Sequence, residues 1–453
     1  MSENINQGLG FAEKPKSADT TIEQINKRAR ELQSEMEKYY IDFHENPELG
    51  GQEVETAKKI EDYLKELGIE IVGSHIGLNR PNEDPKKAFH GTGIVARIVG
   101  KEGGPVIALR ADMDALPIKE SADNPVRSKE EGVMHGCGHD LHSSGLMGAA
   151  KILKELADQG KLDGEALLLF QPSEEKAFQK ESGAVQMIKF LEKSGWRGKI
   201  DAFFGAHGMR GMERGKVNVR DGVQLASSGE VDISLKAAGG HIMNAYEVPN
   251  LNFIFSQITT KLETIFRPLA EKSEALVASG RTQYEGSGYN VLPAAAESTW
   301  VIRISSELFK QMSKDVLAQI KQTIEEVIAQ NKFTDKIKVG VKNRPGYRPV
   351  VARSPELVKA ARESAGQSVD NYQPVDKILL AGEDFSFYLE ELKGKQIPGV
   401  FALVGGANPE KGIPLGSHHT KDFKLDPDMI HELAALHSTF TVNAIEHYNK
   451  VKK

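Results

Sequence analysis

Cysteine is almost absent from this chain, since its 453 residues include only Cys137. A single cysteine cannot form a disulfide within the chain, so its thiol is available as a metal ligand or as a nucleophile. Long hydrophobic runs are also lacking, because no window approaches the roughly 18 apolar residues that a membrane helix needs. Residues 1–20 contain no apolar segment typical of a signal peptide. These absences predict a cytoplasmic protein without a membrane partner.

An excess of basic residues is lacking as well. The chain has 58 lysines and arginines against 64 aspartates and glutamates, a net charge of −6. This balance argues against a nucleic-acid partner. The remaining composition, 39% hydrophobic and 27% charged, is ordinary for a globular protein. A chain of this length exceeds one ordinary core, so we expect two domains.

Apolar strands that alternate with helices predict an α/β fold with a central sheet flanked by helices. Helical periodicity begins at Thr21, and residues 91–100, 105–117, 165–175 and 201–209 have the composition of buried strands. Sheets of this kind bind ligands at the carboxyl ends of their strands. Reactive side chains are therefore expected just after the apolar runs.

The pattern changes between residues 229 and 345. Strand, helix, two strands, helix and strand follow one another there, the order of a ferredoxin-like α+β module. The α/β pattern then returns and continues to the last helix. The sequence thus predicts a disordered N-terminus (1–20) and a main α/β domain (21–228 and 346–453) with an inserted domain (229–345).

Metal-ligating residue types are concentrated in MHGCGHDLH, residues 134–142. Cys137 and His139 can face one metal centre from a loop, and Gly136 and Gly138 permit a tight backbone path. Alone, such a Cys-Gly-His sequence is weak evidence. Sulfur, imidazole and carboxylate ligands together suit zinc, manganese, cobalt or iron better than calcium or magnesium.

Three further clusters each have an unremarkable interpretation. The pair Glu174 and Glu175 could be a solvated surface pair, His207 a core histidine, and His418 with His419 another surface pair. All of them, however, follow apolar strands of one predicted sheet. Their conjunction predicts one site, in which one carboxylate of the pair binds metal and its neighbour takes a proton from water.

The segment RADMDALP adds Asp112 and Asp114 after another predicted strand. An acid at this position could orient a ligand histidine through its second ring nitrogen, as metal-bound histidines usually require. The alternative is a structural ion pair between Arg110 and Asp112.

At the level of whole motifs, the chain resembles a known family. HENPELG (44–50), TGIVA, LRADMDALP, MHGCGHDLH, FQPSEE, GGH, NVLP, AGEDFSFY and HHTKDF follow one another in the order found in bacterial and plant amidohydrolases. These N-acyl-amino-acid hydrolases include hippurate and indole-acetyl-amino-acid hydrolases and belong to the aminoacylase/carboxypeptidase-type co-catalytic metallopeptidases. The resemblance covers about residues 25–445. It implies a metal domain with an inserted lid domain, a homodimer formed through the lid, and two divalent ions, manganese or zinc.

The resemblance also implies roles for individual residues. Glu174 matches the general base, and His241 resembles the histidine that stabilises the developing oxyanion. Asn290 and Arg303 resemble groups that hold the substrate carboxylate. Asp112, as the acid that could orient a ligand histidine, is expected among the catalytic residues. The implied metal ligands are Cys137, His139, Glu175, His207 and His419, with His418 as the alternative to the last.

Several segments depart from the family pattern: KAFQKESGA after Glu175, GMRGM after His207, IMNAYEVP after GGH, and TKDF after His419. The expected activity is metal-dependent hydrolysis of the amide bond of N-acyl amino acids or short peptides with a free carboxylate. Two alternatives remain: a metal-binding protein that has lost catalysis, and a metal-independent thiol hydrolase that uses Cys137.

Overall fold

A computed structural model describes residues 16–77, 91–175, 182–272, 274–286, 288–390 and 396–451. It confirms the α/β fold class, with helices on both sides of a large sheet. None of the helices in the described ranges is long and apolar enough to cross a bilayer. The helices are α1 (Lys16–Glu45), α2 (Val54–Glu66), α3 (His139–Asp158), α4 (Gly183–Lys193), α5 (Leu251–Glu271), α6 (Phe309–Gln330), α7 (Pro355–Ser368) and α8 (Met429–Val451).

The strands form one large sheet, one smaller sheet and two short pairs. They are β1 (Glu70–Ile76), β2 (Gly93–Val99), β3 (Val106–Asp112), β4 (Glu165–Gln171), β5 (Ala202–Glu213), β6 (Lys216–Asn218), β7 (Gly222–Leu225), β8 (Ser227–Lys236), β9 (Gly240–His241), β10 (Ala275–Glu285), β11 (Val291–Leu292), β12 (Ala295–Ile304), β13 (Lys338–Pro345), β14 (Val350–Ala352), β15 (Gln373–Val375) and β16 (Gly399–Ala407).

Within the described residues, the large sheet has eight strands in the order β1-β2-β4-β3-β5-β16-β6-β15. Its central strands β4, β3, β5 and β16 are mutually parallel. Every residue of β3 and β4 is buried, because α1, α3 and α8 cover one face and α4 with residues 384–387 covers the other. Continuous apolar strands of this kind are typical of a parallel sheet covered on both faces.

The N-terminal helix begins earlier than the sequence predicted. Its periodic residues Ile22, Ile25, Leu32 and Met36 are all buried, as the pattern predicted. However, α1 starts at Lys16, five positions before the end of the segment predicted as disordered, and disorder before α1 stays a prediction. Residues 1–15 lie outside the described part of the chain, as does most of the KAFQKESGA segment.

The smaller sheet, in the order β10-β12-β8-β13, is antiparallel. Alternate residues of β8, Val231, Ile233 and Leu235, are buried against α5 and α6 in a separate apolar core. The chain order β8, α5, β10, β12, α6, β13 is that of the ferredoxin-like module. We call these residues, 227–345, the inserted module; their status as a separate domain stays a prediction.

Candidate metal centre

The parallel strands bring their carboxyl ends to one edge of the large sheet, where the reactive residues gather. One expectation changes here, because His207 lies within β5 and not after it. Pairing of β5 with β3 stops at Gly205, whereas pairing with β16 continues through His207 and Leu403. His207 therefore lies beyond the last residue of β5 that pairs with β3, and it is still paired with β16 on the other side.

The loop that carries Cys137 enters α3 through a glycine in a left-handed conformation. Gly138 precedes the first residue of the helix and has a φ of 91°, a conformation that favours glycine. A Cβ atom at this position would lie 2.7 Å from Leu425 Cδ1. This tight path brings Cys137 Sγ to within 3.4 Å of His207 Nε2 and makes His139 the first residue of α3.

The predicted metal ligands form overlapping groups. Cys137, Glu175 and His419 each offer a ligand atom within 4.8 Å of the others, and so do His139, Glu174 and Glu175. His207 joins them through its contact with Cys137. The structure thus brings the predicted ligands together around Glu175, and their assignment as ligands stays a proposal.

Buried nitrogen and oxygen atoms without partners fit a cation at this place. His139 Nδ1 donates to the Asp114 carbonyl oxygen at 2.8 Å, and its buried Nε2, 3.6 Å from Asp112 Oδ2, has no hydrogen-bond partner among the described residues. Similarly, His207 Nδ1 donates to the Gly208 carbonyl oxygen, which leaves Nε2 directed at Cys137. Glu175 Oε1 is also buried without a hydrogen bond, although His419 Nε2 lies 2.9 Å away. Metal-bound histidines have this arrangement, with one nitrogen donating and the other free.

The thiol of Cys137 also needs a positive neighbour to ionise. Burial raises its pKa, and the charges of Glu175 and Glu174 raise it further. A free thiolate is therefore unfavourable at this position, whereas a bound cation would balance its charge.

His142 belongs to the same histidine cluster but has no free ring nitrogen. The Gly208 N–H donates to its Nε2 at 2.7 Å, so its Nδ1 is the donor to Asp112 Oδ1, also at 2.7 Å. Both nitrogens are occupied, which excludes His142 as a metal ligand in this arrangement. Its contacts instead connect Asp112 with the backbone just after His207.

Asp112 belongs to a buried network of charged groups. It is not the partner of His139 Nδ1, which contacts Asp114. Arg110, which is fully buried, donates to Asp112 at 2.6 Å, to Asp384 at 2.9 Å and to Glu383 at 3.0 Å. The ion pair considered as the alternative for Asp112 is thus present. Asp112 also accepts the hydrogen bond from His142.

The acid that orients His139 is Asp114. Besides its contacts with the His139 ring, Asp114 accepts from the backbone N–H groups of Glu174 and Glu175, both at 3.0 Å. One carboxylate therefore connects the first residue of α3 with the loop after β4. Ser173, just before the pair, has a positive φ of 53°, which this connection helps to hold.

Of the two neighbouring histidines, His419 lies in the ligand group. His418 Nε2 contacts the Gly208 carbonyl oxygen at 3.0 Å. The backbone N–H of His419 donates to the Gly136 carbonyl oxygen at 2.9 Å, which places its ring beside Glu175. The geometry therefore favours His419 over the alternative.

A cavity of about 390 Å³ opens beside this centre. It is lined by Cys137, Glu174 and Glu175 and, from the inserted module, by Leu276, Val301 and Arg303. Arg303 donates to Ser228 Oγ at 2.8 Å, and no carboxylate pairs with it among the described residues. Its burial lowers its pKa. The cavity thus contains a half-buried guanidinium available to an anionic ligand.

His241 and Asn290 do not line this cavity. His241 ends β9 and Asn290 comes just before β11, with His241 Nε2 and Asn290 Nδ2 3.5 Å apart; His241 is exposed and Asn290 is half-buried. The sequence predicted that both residues belong to the active site. In this conformation of a single chain, neither of them lines the cavity.

A family model matches most of this chain. A family model described as peptidase family M20/M25/M40 matches residues 108–443, which include the predicted metal ligands and the inserted module. The chain belongs to peptidase family M20/M25/M40. The recognition of this enzyme family from its motifs is confirmed.

Relatives of this M20 chain include named amide hydrolases. N-acetylcysteine deacetylase of Bacillus subtilis (strain 168) is 33% identical over 396 residues, which cover 86% of this chain and 91% of that protein. IAA-amino acid hydrolase ILR1-like 4 of Arabidopsis thaliana is 30% identical over 404 residues, 88% of this chain and 82% of that protein.

The fold also matches a solved M20 structure. The YxeP protein of Bacillus subtilis, described as a dinuclear metal-binding peptidase, is similar with a TM-score of 0.69 and 29% identity. The match covers 92% of this chain and 99% of that one.

Two residues beside Glu174 in this M20 chain were not predicted as site residues. Tyr347 donates its hydroxyl to the Glu174 carbonyl oxygen at 2.6 Å, and Glu383 lines the cavity. Burial raises the pKa of Glu383 to about 8, against the opposing charge of Arg110. The acid pair in AGEDFSFY was a signal for Glu383, whereas nothing near Tyr347 in the sequence indicated this contact.

Proposed function

We propose that this chain hydrolyses the amide bond of N-acyl amino acids or short peptides with a free carboxylate, with two divalent ions, manganese or zinc, as cofactors. The observation that carries the proposal is a buried carboxylate, Glu174, beside two buried atoms, His139 Nε2 and Glu175 Oε1, that make no hydrogen bond within the described residues. Cys137, His139, Glu175, His207 and His419 would hold the ions. When bound, such ions activate a water molecule and polarise the amide carbonyl.

Glu174 is proposed as the general base. Burial raises its pKa, and the charges of Glu383 and Glu175 raise it further. A carboxylate with a raised pKa takes a proton from water more readily and can return it to the leaving amine. The Asp384 N–H donates to Glu174 Oε1 at 3.3 Å and fixes the direction of this carboxylate.

The cavity supports a substrate with an anionic end and an apolar part. Arg303 can bind a carboxylate with two parallel hydrogen bonds, because its guanidinium has no acidic partner in the described part of the chain. Met209, Leu276 and Val301 provide an apolar wall of the same cavity. We propose that this wall accepts the apolar side chain or acyl group of the substrate.

The proposed role of His241 requires a change from the conformation seen here. His241 lies outside the cavity, so it can reach a developing oxyanion only if the inserted module moves or a second copy supplies it. Large apolar side chains beside it, Met243, Tyr246 and Tyr289, are exposed. A homodimer formed through the inserted module would bury them, and we propose one on that ground.

Metal analysis followed by a screen of N-acyl amino acids tests the proposed function. Protein purified without chelators should carry up to two manganese or zinc ions per chain, and Cys137→Ser should lose metal and activity together. Full metal content and turnover in Cys137→Ser would place the site elsewhere. Activity that survives chelation would favour a thiol hydrolase, and bound metal without turnover would favour a metal-binding protein.

A further inference from the structure

The segment of residues 414–422 carries His419 to the metal centre without regular secondary structure. His419 itself has a positive φ of 60°, a conformation that non-glycine residues adopt only when their surroundings hold them there. Its backbone N–H donates to the Gly136 carbonyl oxygen. Since the position of the His419 ring depends on this segment, whatever holds the segment also holds the proposed ligand.

One residue of β5, Arg210, makes several of the polar contacts that hold this segment. Its Nη2 donates to Asp422 Oδ2 at 2.8 Å and its Nη1 to Thr420 Oγ1 at 3.0 Å. Its Nε points to the Pro414 carbonyl oxygen at 3.5 Å, and the Gly416 N–H donates to the Arg210 carbonyl oxygen at 3.2 Å. Arg210 thus contacts both ends of the segment.

The guanidinium is buried in this position, and the segment is shaped around it. The side chain of Arg210 is 4% exposed, whereas that of Asp422 is 58% exposed. A Cβ atom at Gly416 would lie 2.6 Å from Arg210 Nε, so only glycine lets the segment pass this close. The hydrogen bond from Arg210 lowers the pKa of Asp422 to about 2, which keeps this carboxylate ionised at neutral pH.

Arg210 and Asp422 come from two segments in which the sequence departs from the amidohydrolase pattern. Arg210 belongs to GMRGM after His207, and Asp422 to TKDF after His419. The two departures contact each other across the fold, and each lies three residues after a proposed metal ligand. This spacing connects the strand of one ligand with the segment of the other.

We infer that Arg210 and Asp422 form a clamp that positions His419 relative to His207, and so sets the affinity and geometry of the metal centre. Arg210 and Asp422 are positioning residues, since neither side chain lies in a ligand group. The inference rests on the proposed metal-dependent function. Partners that orient metal ligands from outside typically change metal affinity by about 10–100-fold when they are removed.

Cobalt binding to the full chain tests the clamp. The metal-free parent, Asp422→Asn, Arg210→Lys and the double variant should be titrated with Co²⁺ and followed by calorimetry and visible absorption. Because Asp422 is mostly exposed, Asp422→Asn should fold normally. We expect it to bind at least one Co²⁺ about 10–100-fold more weakly, with an altered absorption spectrum. The double variant should lose less than the sum of the two single losses, because both remove the same contact.

The matched control is Asp376→Asn, which removes a similar arginine–aspartate pair, Arg220 with Asp376 at 2.6 Å, away from the metal centre. It should bind Co²⁺ as the parent does. Parent-like affinity and spectrum in Asp422→Asn would overturn the clamp and leave the proposed function standing. A parent chain that binds no Co²⁺ would overturn both. A loss of equal size in Asp376→Asn would also overturn the clamp, since the effect would then be general.

Discussion

Glu174 and Glu175 are adjacent in the chain, yet their carboxylates have different surroundings. Both lie in a group with His139, but only Glu175 also joins Cys137 and His419, whereas Glu174 accepts a hydrogen bond from the Asp384 backbone. We therefore predict that Glu174→Gln keeps its metals and loses about 10²–10⁴-fold in kcat, the usual contribution of a general base. Glu175→Gln should lose metal affinity instead.

Metal content and steady-state kinetics on a substrate from the screen measure both variants of this pair. Each serves as the control for the other, because the two substitutions make the same chemical change at neighbouring positions. Metal loss in both variants, or in neither, would contradict the division of roles.

A second prediction at the residue scale concerns His44, which lies between two buried carboxylates. Its Nδ1 donates to Asp140 at 2.6 Å and its Nε2 to Glu120 at 3.0 Å. Burial opposes the charge on the ring, but the hydrogen bonds with Asp140 and Glu120 outweigh it and raise the pKa of His44 to about 10. Its pKa in an unfolded chain is about 6.5.

A raised folded pKa gives the sign of the pH dependence. The stabilisation from protonated His44 is complete below about pH 6.5 and is lost as the pH rises through about 10. At pH 6.5, His44→Gln should reduce the free energy of unfolding by about 3–5 kcal/mol, the usual cost of breaking a buried pair. Urea unfolding of chelator-treated protein should show this difference shrinking toward pH 10. A difference that stays constant with pH, or an equal one in His447→Gln, would contradict the prediction.

At the scale of single elements, the start of α3 depends on Gly138. Its φ of 91° and the 2.7 Å approach of a Cβ atom to Leu425 predict that Gly138→Ala destabilises the fold by about 1–3 kcal/mol. The matched control is Gly160→Ala, since Gly160 follows the same helix with a φ of 67° but has open space around it. Thermal and urea unfolding compare the two. An equal cost at both positions would show that the contact with Leu425 contributes nothing.

Two predictions concern the inserted module, one for KM and one for kcat. Arg303 would hold the substrate carboxylate in the ground and transition states alike, so Arg303→Ala should mainly raise KM. A histidine that contacts only the developing oxyanion should act on kcat, so His241→Ala should lower kcat and change KM little. Steady-state kinetics separate them, with Lys342→Ala, a surface change on the same module, as control. A kcat for His241→Ala within about threefold of the parent would remove His241 from the mechanism.

At the scale of the whole molecule, metal removal should lower thermal stability. A ligand that binds only the folded state stabilises it by about 4.1 kcal/mol at a thousand times its Kd. Calorimetry of the metal-loaded and chelator-treated protein should therefore show a higher Tm with metal. The core of the inserted module is separate from the two cores of the large sheet, so any transition that belongs to the module should shift less. An unchanged Tm would argue against bound metal ions.

The fold class followed from local patterns that depend on backbone geometry alone. Residues three or four apart lie on one face of a helix, so the periodic residues of α1, from Ile22 to Met36, indicated both the helix and its buried face. Continuous apolar runs indicated β3 and β4, because only strands covered on both faces avoid polar residues in this way. The candidate ligands followed from residue types placed at the ends of such runs.

Local patterns also had a limit, visible where helix α1 begins and where β5 ends. The polar residues before Thr21 carried no apolar periodicity, yet they continue α1 from Lys16. His207 was expected after β5 and lies within it, because β16 extends the pairing beyond the last contact with β3. Neighbouring strands decide such boundaries, and their positions are not encoded in the segment itself.

By itself, the sequence determined the α/β class, the ferredoxin-like order of the inserted module, and the candidate metal ligands. Only the tertiary structure decided which of them meet. In the folded chain, His139 donates a hydrogen bond to Asp114, and both ring nitrogens of His142 are already hydrogen-bonded. The tertiary structure also brought Arg210 to Asp422 and kept His241 outside the cavity. The physical reason is that such contacts join segments far apart in the chain, and their distances depend on how helices and strands pack and not on any local spacing.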